Sequence, residues 1–192
     1  RGGKVLIDAE ESGFGKSFAE SRHPRTAMGI TRSGDVIWLA TDGRQEFSKG
    51  ATLAELAGLM AAQGCVDAVN LDGGGSTTIA MRTLVMNKPS DGRERPVANG
   101  VLLFGAPVKP DPTAATWRVN APMNLASGTT ADLSLVTKNG LMVPPREILW
   151  SATGPGWIDP EGRLRALYGG KITVQAYARG SIFTVEIISE GP

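Results

Sequence analysis

The segment NLDGGGSTTIAM, residues 70–81, places one carboxylate directly before three glycines and three hydroxyl side chains. Because glycine tolerates positive φ and carries no side chain, the N–H groups of such a loop can form a concave binding site for an anion. Asp72 is then the candidate general acid or base, since a carboxyl group beside a desolvated pocket can be tuned toward neutral pH. Taken alone, the segment is more typical of an Asp-Gly turn between two strands.

Three further polar clusters lie at the ends of predicted strands, where a rigid scaffold can gather distant residues into one cleft. They are RHPRT at 22–26, TDGR at 41–44 and NKPSDGRER at 87–95. Arg25 can hold a phosphate or a carboxylate through its planar guanidinium, and His23 is a possible proton carrier. In TDGR, Asp42 is a candidate carboxylate for contact with a ligand, and Arg44 is a candidate second cation. An exposed turn would account for the same two residues equally well.

Several chemistries remain open for these clusters. Asp72 and Asp42 are the carboxylate pair that would suit glycoside hydrolysis. The same two residues could instead hold a divalent cation such as Ca²⁺ or Mg²⁺, and no other cofactor is indicated. Ser76 is a poor candidate nucleophile because no Ser-His-Asp order or nucleophile elbow accompanies it.

Composition excludes several classes of function. The 192 residues carry a net charge of +1, so no overall field favours nucleic acid or an anionic membrane. The single cysteine, Cys65, and the single histidine, His23, exclude an internal disulfide and a cysteine- or histidine-rich metal cluster. Cys65 is predicted to be a small buried apolar residue. No apolar run approaches the ~20 residues of a membrane span, and the opening RGGKVLIDAE is not typical of a signal peptide.

The elements that must position the clusters begin with β-strands. A strand is predicted at Lys4–Asp8. A hairpin is predicted to join Ala27–Thr31 to Val36–Thr41 through a Ser33-Gly34-Asp35 turn.

One helix is predicted in ATLAELAGLMAAQG, where Thr52 and Glu55 form a capping box and Gly64 follows the last turn. Its apolar stripe at helical spacing consists of Leu53, Leu56, Leu59 and Met60. Three elements are predicted after it: a buried strand in CVDAVNL, a hairpin formed by TTIAM and LVMN, and a final apolar strand in VANGVLLFG. This half of the chain therefore predicts an α+β fold with a mixed or antiparallel sheet.

The composition changes at APVKPDPTAAT, where three prolines mark a linker. Beyond it, TWRVNAP, ADLSLVTK, EILWSATG, GRLRALY and KITVQAYA are short alternating strands separated by turn signals, which favours a small β-sandwich. The order of Trp150, residues 162–166 and GGKITVQAYA resembles bacterial immunoglobulin-like domains of surface proteins. The predicted organisation is an α+β domain at 1–106, a linker at 107–115 and an all-β immunoglobulin-like sandwich at 116–192.

The four polar clusters together resemble the phosphodiester glycosidase family. The matching text is RHPRTAMGI, then DGR with SKGATLAELAGLMAAQGCVDAVNLDGGGSTT, then VMNKPSDGRERPVANGVLLF. The resemblance implies hydrolysis of a sugar-1-phosphodiester, such as one of N-acetylglucosamine, at the anomeric bond. Because of this resemblance, we interpret Asp72 and the glycines that follow it as part of a binding site rather than as an Asp-Gly turn.

The resemblance implies roles for individual residues. Asp72, Asp42 and His23 are the catalytic candidates. The substrate-binding candidates are Arg25, Thr26, Arg44, Asn70, Gly73, Gly74, Gly75, Ser76, Thr77, Asn87, Arg95 and Asn99. The cations and the glycine loop suit a phosphate, and the asparagines suit sugar hydroxyls.

The family normally carries a further N-terminal portion of the same domain before RHPRT. We therefore expect either a second chain that supplies this half or a processed or partial product. The immunoglobulin-like half and the linker favour a secreted or cell-surface bacterial protein that acts on a surface glycan. The alternative is a non-catalytic module that binds the cell wall or an anionic glycopolymer.

Overall fold

The structure, a computed structural model of the chain, describes Gly13 and residues 15–191. The predicted strand Lys4–Asp8 lies outside the described residues. The contacts within the chain divide it into two compact units. The first extends to Ile79 and includes Asn87–Gly100, and the second consists of Ala80–Met86 and the chain from Val101 onward. Within the described ranges the fold is mostly β-sheet with two α-helices, in agreement with the predicted α+β class.

The first unit is built on a three-stranded antiparallel sheet. Its helices and strands are α1 (Lys16–Glu20), β1 (Arg25–Thr31), β2 (Val36–Thr41), α2 (Leu53–Ala62) and β3 (Cys65–Asn70). The strand order is β2-β1-β3, with Met28 of β1 opposite Trp38 on one side and Val69 on the other. The predicted β1–β2 hairpin is confirmed, because Gly34 takes the positive φ of 92° that its turn requires.

Helix α2 begins and ends as its sequence predicts. The Thr52 side chain accepts from the Glu55 N–H, and the Glu55 carboxylate accepts from the Thr52 N–H, which completes the capping box. Gly64 follows with φ 80°. Leu53, Leu56 and Met60 are buried in a cluster with Ala27 of β1 and Cys65 of β3, so the prediction of a buried Cys65 is confirmed.

Two burial predictions in this unit are wrong, and so is one strand prediction at 97–105, where the first unit gives way to the second. Leu59, assigned to the buried stripe of α2, is 43% exposed. Strand β3 exists, but Val69 is 51% exposed because β3 is an edge strand and the described residues leave one face of the sheet open. Ile30, Val36 and Trp38 are exposed on that same face. VANGVLLFG forms no strand, and its Leu103 is 84% exposed, because no described strand pairs with it.

The second unit consists of short strands around one apolar core. Its strands are β4 (Ala80–Met81), β5 (Leu84–Val85), β6 (Arg118–Asn120), β7 (Asn124–Ala126), β8 (Thr130–Asp132), β9 (Ser134–Val136), β10 (Leu149–Thr153), β11 (Gly156–Ile158), β12 (Arg163–Ala166), β13 (Gly170–Ala178) and β14 (Ser181–Glu190). The main sheet has the order β10-β13-β14-β7, and a second sheet has the order β11-β12-β8. Leu164, Ile172 and Val174 are fully buried in the shared core. The immunoglobulin-like assignment of this unit stays a prediction.

The β4–β5 hairpin belongs to the second unit, although along the sequence it lies between the two segments that form the first unit. The hairpin is predicted from sequence and confirmed, with Ala80 opposite Val85. Arg82 takes a φ of 57° in its turn. The Ser151 hydroxyl donates to the Val85 carbonyl over 2.5 Å. The domain boundaries 1–106 and 116–192 stay a prediction beside these contact-defined units.

Candidate active site

The glycine loop, defined here as residues 72–79, is packed against backbone and is not a free turn. The Leu71 N–H donates to the Thr26 carbonyl over 2.8 Å, and the Gly74 N–H donates to the Pro24 carbonyl over 2.9 Å. A Cβ at Gly73 would lie 2.8 Å from the Pro24 oxygen. Bare backbone is therefore required because two chain segments approach each other closely.

Asp72 lies at the exposed rim of this loop. Its Oδ1 accepts from the Gly73 N–H over 2.8 Å, which turns the carboxylate toward the glycines. Residues 74–76 form a short 3-10 helix, entered at Gly74 with a φ of 63°. The Asp72 carboxylate therefore lies directly beside the glycine backbone, and it accepts the Gly73 N–H itself.

The Arg44 guanidinium lies over Gly74. A Cβ at Gly74 would lie 3.1 Å from Arg44 Nη2 and 3.2 Å from Nη1. Arg44 is itself exposed and has a φ of 58°, a left-handed conformation that is uncommon for a residue with a side chain. Arg44 and the glycine loop, which are both predicted to bind a phosphate, therefore lie side by side. Their contact with a phosphate stays a prediction.

His23 contacts the same guanidinium. Arg44 Nε donates to His23 Nδ1 over 3.4 Å, and Arg44 Nη2 lies 3.3 Å from the same atom. The pKa of His23 is lowered, first by burial and then by the positive charges of Arg44 and Arg25. His23 is thus favoured in its neutral form, with Nδ1 as the acceptor.

A second guanidinium lies over the neighbouring glycine. Arg95 donates to Asp91 Oδ2 from Nε over 2.9 Å and from Nη2 over 2.7 Å. A methyl group at Gly75 would overlap both the Arg95 guanidinium and the Asp91 carboxylate. Two adjacent glycines therefore each lie beneath an arginine, and the two arginines come from different polar clusters.

Asp42 and Asn87 connect these clusters. Asp42 Oδ1 accepts from the Lys88 N–H over 2.8 Å and from Asn87 Nδ2 over 3.3 Å. Asn87 Nδ2 also donates to the Thr77 carbonyl over 3.0 Å, and its Oδ1 accepts from the Ile79 N–H over 2.9 Å. Asp42 is thereby fixed as an acceptor of N–H groups.

Arg25 lies at the site but points its side chain into the interior. It is 1% exposed. Its Nε donates to the Ala51 carbonyl over 3.1 Å, and its Nη2 donates to the Phe18 and Ser21 carbonyls over 2.7 and 3.0 Å. The guanidinium also lies 4.6 Å from the centre of the Phe18 ring. These contacts describe a scaffold residue, and the predicted contact of Arg25 with a phosphate stays a prediction.

The remaining predicted site residues differ in their burial and in their distance along the chain from the glycine loop. Thr26 is half-buried on β1, and Ser76 lies in the 3-10 helix. Asn70 Oδ1 and Thr77 Oγ1 are buried without a hydrogen-bond partner in the part of the chain that the structure describes. Asn99 is exposed in a segment without regular structure, and no hydrogen bond described for residues 15–191 joins it to the cluster.

The described residues do not form a recognisable metal centre. They contain no group of three or more His, Cys, Asp or Glu side chains that could hold a metal ion. Asp42 Oδ1 already accepts from two N–H groups, which suits a hydrogen-bonded carboxylate better than a cation ligand. A divalent cation at Asp42 and Asp72 stays a prediction. Among the described residues, no helix is long and apolar enough to span a membrane.

Three neighbours of the site are missing from the site residues that the sequence predicts. Asp91 holds Arg95 within an irregular loop, and its place in the polar cluster 87–95 is the sequence feature that points to it. Lys88 is half-buried, and its pKa is lowered by burial and only partly restored by the charge of Asp42. Gln45 donates from Nε2 to the Lys88 carbonyl over 2.7 Å. Lys88 carries no sequence signal beyond its place within the polar cluster 87–95, and Gln45 none beyond its place directly after TDGR.

The chain belongs to the phosphodiester glycosidase family, whose model matches residues 1–104, more than half of the chain. The predicted family resemblance is thereby confirmed for this part. The second unit is described by its strands alone, without a family assignment.

Individual relatives match the same part. YomE, an SPbeta prophage-derived uncharacterized protein of Bacillus subtilis, is 38% identical over 82 residues, 43% of this chain and 13% of that protein. The mouse N-acetylglucosamine-1-phosphodiester alpha-N-acetylglucosaminidase is 37% identical over 84 residues, 44% of this chain and 16% of the relative. The catalytic domain of the zebrafish enzyme of that name, auto-inhibited by its pro-peptide, is 30% identical with a TM-score of 0.41 and covers 47% of this chain and 32% of that chain. The chain thus spans 16% or less of the curated relatives described here.

Proposed function

We propose that the first unit contributes the phosphate-binding and acid residues of a hydrolase that cleaves the glycosidic bond of a sugar-1-phosphodiester. The observation that carries the proposal is the placement of Arg44 over Gly74 and of Arg95 over Gly75, beside the rim carboxylate of Asp72. Membership of the phosphodiester glycosidase family supports the same chemistry. N-acetylglucosamine-1-phosphodiesters, named for the mouse relative, are the substrate class that we propose first.

The geometry suits a reaction whose leaving group is already an anion. Water adds to the anomeric carbon, the bond from that carbon to the phosphate oxygen breaks, and the phosphate keeps the electron pair. The Arg44 and Arg95 guanidinium groups stabilise the departing phosphomonoester. Asp72 is the proposed carboxylate near the anomeric carbon, where it can accept the proton of the attacking water.

An Asp72→Asn substitution tests this role. We expect sugar release from a GlcNAc-1-phosphodiester to fall by about a thousandfold, the range of general acid–base catalysis. The matched control is Asp67→Asn, an exposed acid on β3 of the same unit, which should retain activity. Unchanged activity in Asp72→Asn, with the melting temperature also unchanged, would remove Asp72 from the mechanism.

A second candidate function is a non-catalytic module that binds an anionic glycopolymer. The hydrogen bonds that occupy Asp42 Oδ1 favour this function. Glycoside hydrolysis commonly uses a pair of carboxylates, and these bonds make Asp42 a poor partner for Asp72. Calorimetric titration with a glycopolymer fragment, run beside a sugar-release assay, separates the two functions. Binding without release in a protein that contains the whole family domain would favour the module.

The remaining proposals concern context. A secreted or cell-surface bacterial location and a surface-glycan substrate are proposed from the sequence. We also propose that a second chain with the N-terminal half of the domain covers the exposed face formed by Ile30, Val36, Trp38 and Val69. Co-expression with that half should yield a complex by size-exclusion chromatography. A Val69→Lys substitution should weaken the complex. Equal recovery of the complex from the Val69→Lys variant and from the unsubstituted protein would contradict this interface.

A further inference from the structure

We infer that Asn87 is a positioning residue whose side-chain amide holds the three loops of the proposed active site at one junction. The loops are the TDGR loop (41–45), the glycine loop (72–79) and the charged loop (87–95). The inference rests on the proposed function only in that these loops carry its phosphate-binding groups. It differs from the role predicted from sequence, in which Asn87 contacts a sugar hydroxyl.

The Asn87 side chain reaches two loops while its backbone begins the third. Its Oδ1 accepts from the Ile79 N–H over 2.9 Å, and its Nδ2 donates to the Thr77 carbonyl over 3.0 Å. The same Nδ2 donates to Asp42 Oδ1 over 3.3 Å in the TDGR loop. A primary amide has two N–H donors, so both are used within the protein and none remains for a sugar hydroxyl.

Other contacts secure the same junction. The Lys88 N–H donates to Asp42 Oδ1 over 2.8 Å, and Gln45 Nε2 donates to the Lys88 carbonyl over 2.7 Å. The Ser48 hydroxyl donates to the Asp42 carbonyl over 2.6 Å. The TDGR and charged loops are thus tied to each other, and the side chain of Asn87 ties both of them to the glycine loop.

The junction determines where the two guanidinium groups stand. Arg44 follows Asp42 by two residues and has a φ of 58°, a conformation that persists only when its surroundings hold it. Arg95 lies in the loop that Asn87 begins. Both guanidinium groups lie over adjacent glycines of the glycine loop. Gly74 is held by the Pro24 carbonyl, and Asn87 holds the end of the loop at Thr77 and Ile79, so releasing this amide would loosen the loop beneath the arginines.

Two substitutions at Asn87 separate its bonds. Asn87→Ala removes all three side-chain hydrogen bonds. Asn87→Asp keeps an acceptor for the Ile79 N–H but loses both donors and places a second carboxylate beside Asp42. Asn139→Ala and Asn139→Asp are the matched controls, because Asn139 is exposed in a turn of the second unit.

Hydrolysis of a GlcNAc-1-phosphodiester is the first measurement. We expect Asn87→Ala to lower kcat by about a hundredfold, an effect that a misplacement of about 1 Å can have, while KM rises by no more than about fivefold. Asn87→Asp should lower kcat at least as far, because its carboxylate would lie beside that of Asp42 and repel it. A rise in KM with unchanged kcat would overturn the inference, because it would make Asn87 a substrate contact.

Two measurements do not depend on hydrolysis. Affinity for inorganic phosphate, by calorimetry, should weaken about fivefold in Asn87→Ala, the equivalent of one net hydrogen bond. Amide exchange should accelerate at Ile79 in Asn87→Ala and stay slow there in Asn87→Asp. If the unsubstituted protein binds phosphate but hydrolyses no diester, the proposed function fails while the inference is still tested. Unchanged phosphate affinity and unchanged exchange in both variants would overturn it.

Discussion

The two units of the chain differ in where they place apolar side chains. Among the described residues, the core of the second unit contains 14 buried residues, whereas the cluster around α2 in the first unit contains five. The first unit instead exposes Trp38 and Val69 on one face of its sheet. Yet the first unit carries the glycine loop and its arginines. The unit with the smaller core therefore holds the proposed chemistry, and the unit with the larger core supplies none that we identify.

The largest expected effect tests the core of the second unit. Leu164→Ala should lower its free energy of unfolding by about 3 kcal/mol, because a fully buried leucine leaves both a transfer loss and a cavity. Urea unfolding followed by amide exchange, unit by unit, measures this. Leu141→Ala, at a side chain that is 68% exposed, is the control. An equal loss in the first unit would contradict the separation of the two cores.

The next effect tests whether chemistry is confined to the first unit. Arg44→Ala should lower kcat/KM for a sugar-1-phosphodiester by about a hundredfold, as removal of one preorganised donor to a developing anion does. Arg163→Ala, which breaks the exposed ion pair with Asp132 in the second unit, should leave kcat/KM unchanged. Similar losses in both variants would mean that the second unit takes part in the reaction.

The smallest effect is a pH dependence specific to the first unit. Since the pKa of His23 is lower in the folded protein than in the unfolded chain, the unfolded chain binds the proton more strongly. The free energy of unfolding should therefore fall as pH decreases from about 6.5, the ordinary value, toward the lowered pKa. Amide-exchange protection at pH 7.5 and pH 5 measures this.

His23→Gln should reduce this pH dependence, because glutamine does not titrate. The pKa of Glu55 is also lowered, chiefly by its hydrogen bond with the Thr52 backbone. Protonation of this carboxylate lowers the free energy of unfolding only below its ordinary pKa of 4.5. The window above pH 5 therefore isolates His23. The same decrease in protection in His23→Gln and in the unsubstituted protein would show that other groups cause it.

Local elements of this protein were predictable because their determinants lie within a few residues. The capping box of α2 needs only Thr52 and Glu55, and the β1–β2 turn needs only Ser33-Gly34-Asp35. The glycine loop was recognisable from its composition, as was the change of character at the proline-rich linker. The family motifs added the connection between clusters that periodicity alone does not supply.

Burial and the choice among similar side chains were decided by tertiary structure. Arg25 and Arg44 look alike in sequence, yet Arg25 is buried against three carbonyls while Arg44 lies over Gly74. VANGVLLFG has the composition of a strand, but a strand needs a neighbour to hydrogen-bond, and none of the described strands provides one. Asn87 likewise became a junction only because Asp42, 45 residues away, meets it in space. The sequence determined hydrogen bonds and turns between near neighbours, whereas the folded chain alone determined which distant groups meet, because such contacts depend on the packing of whole elements.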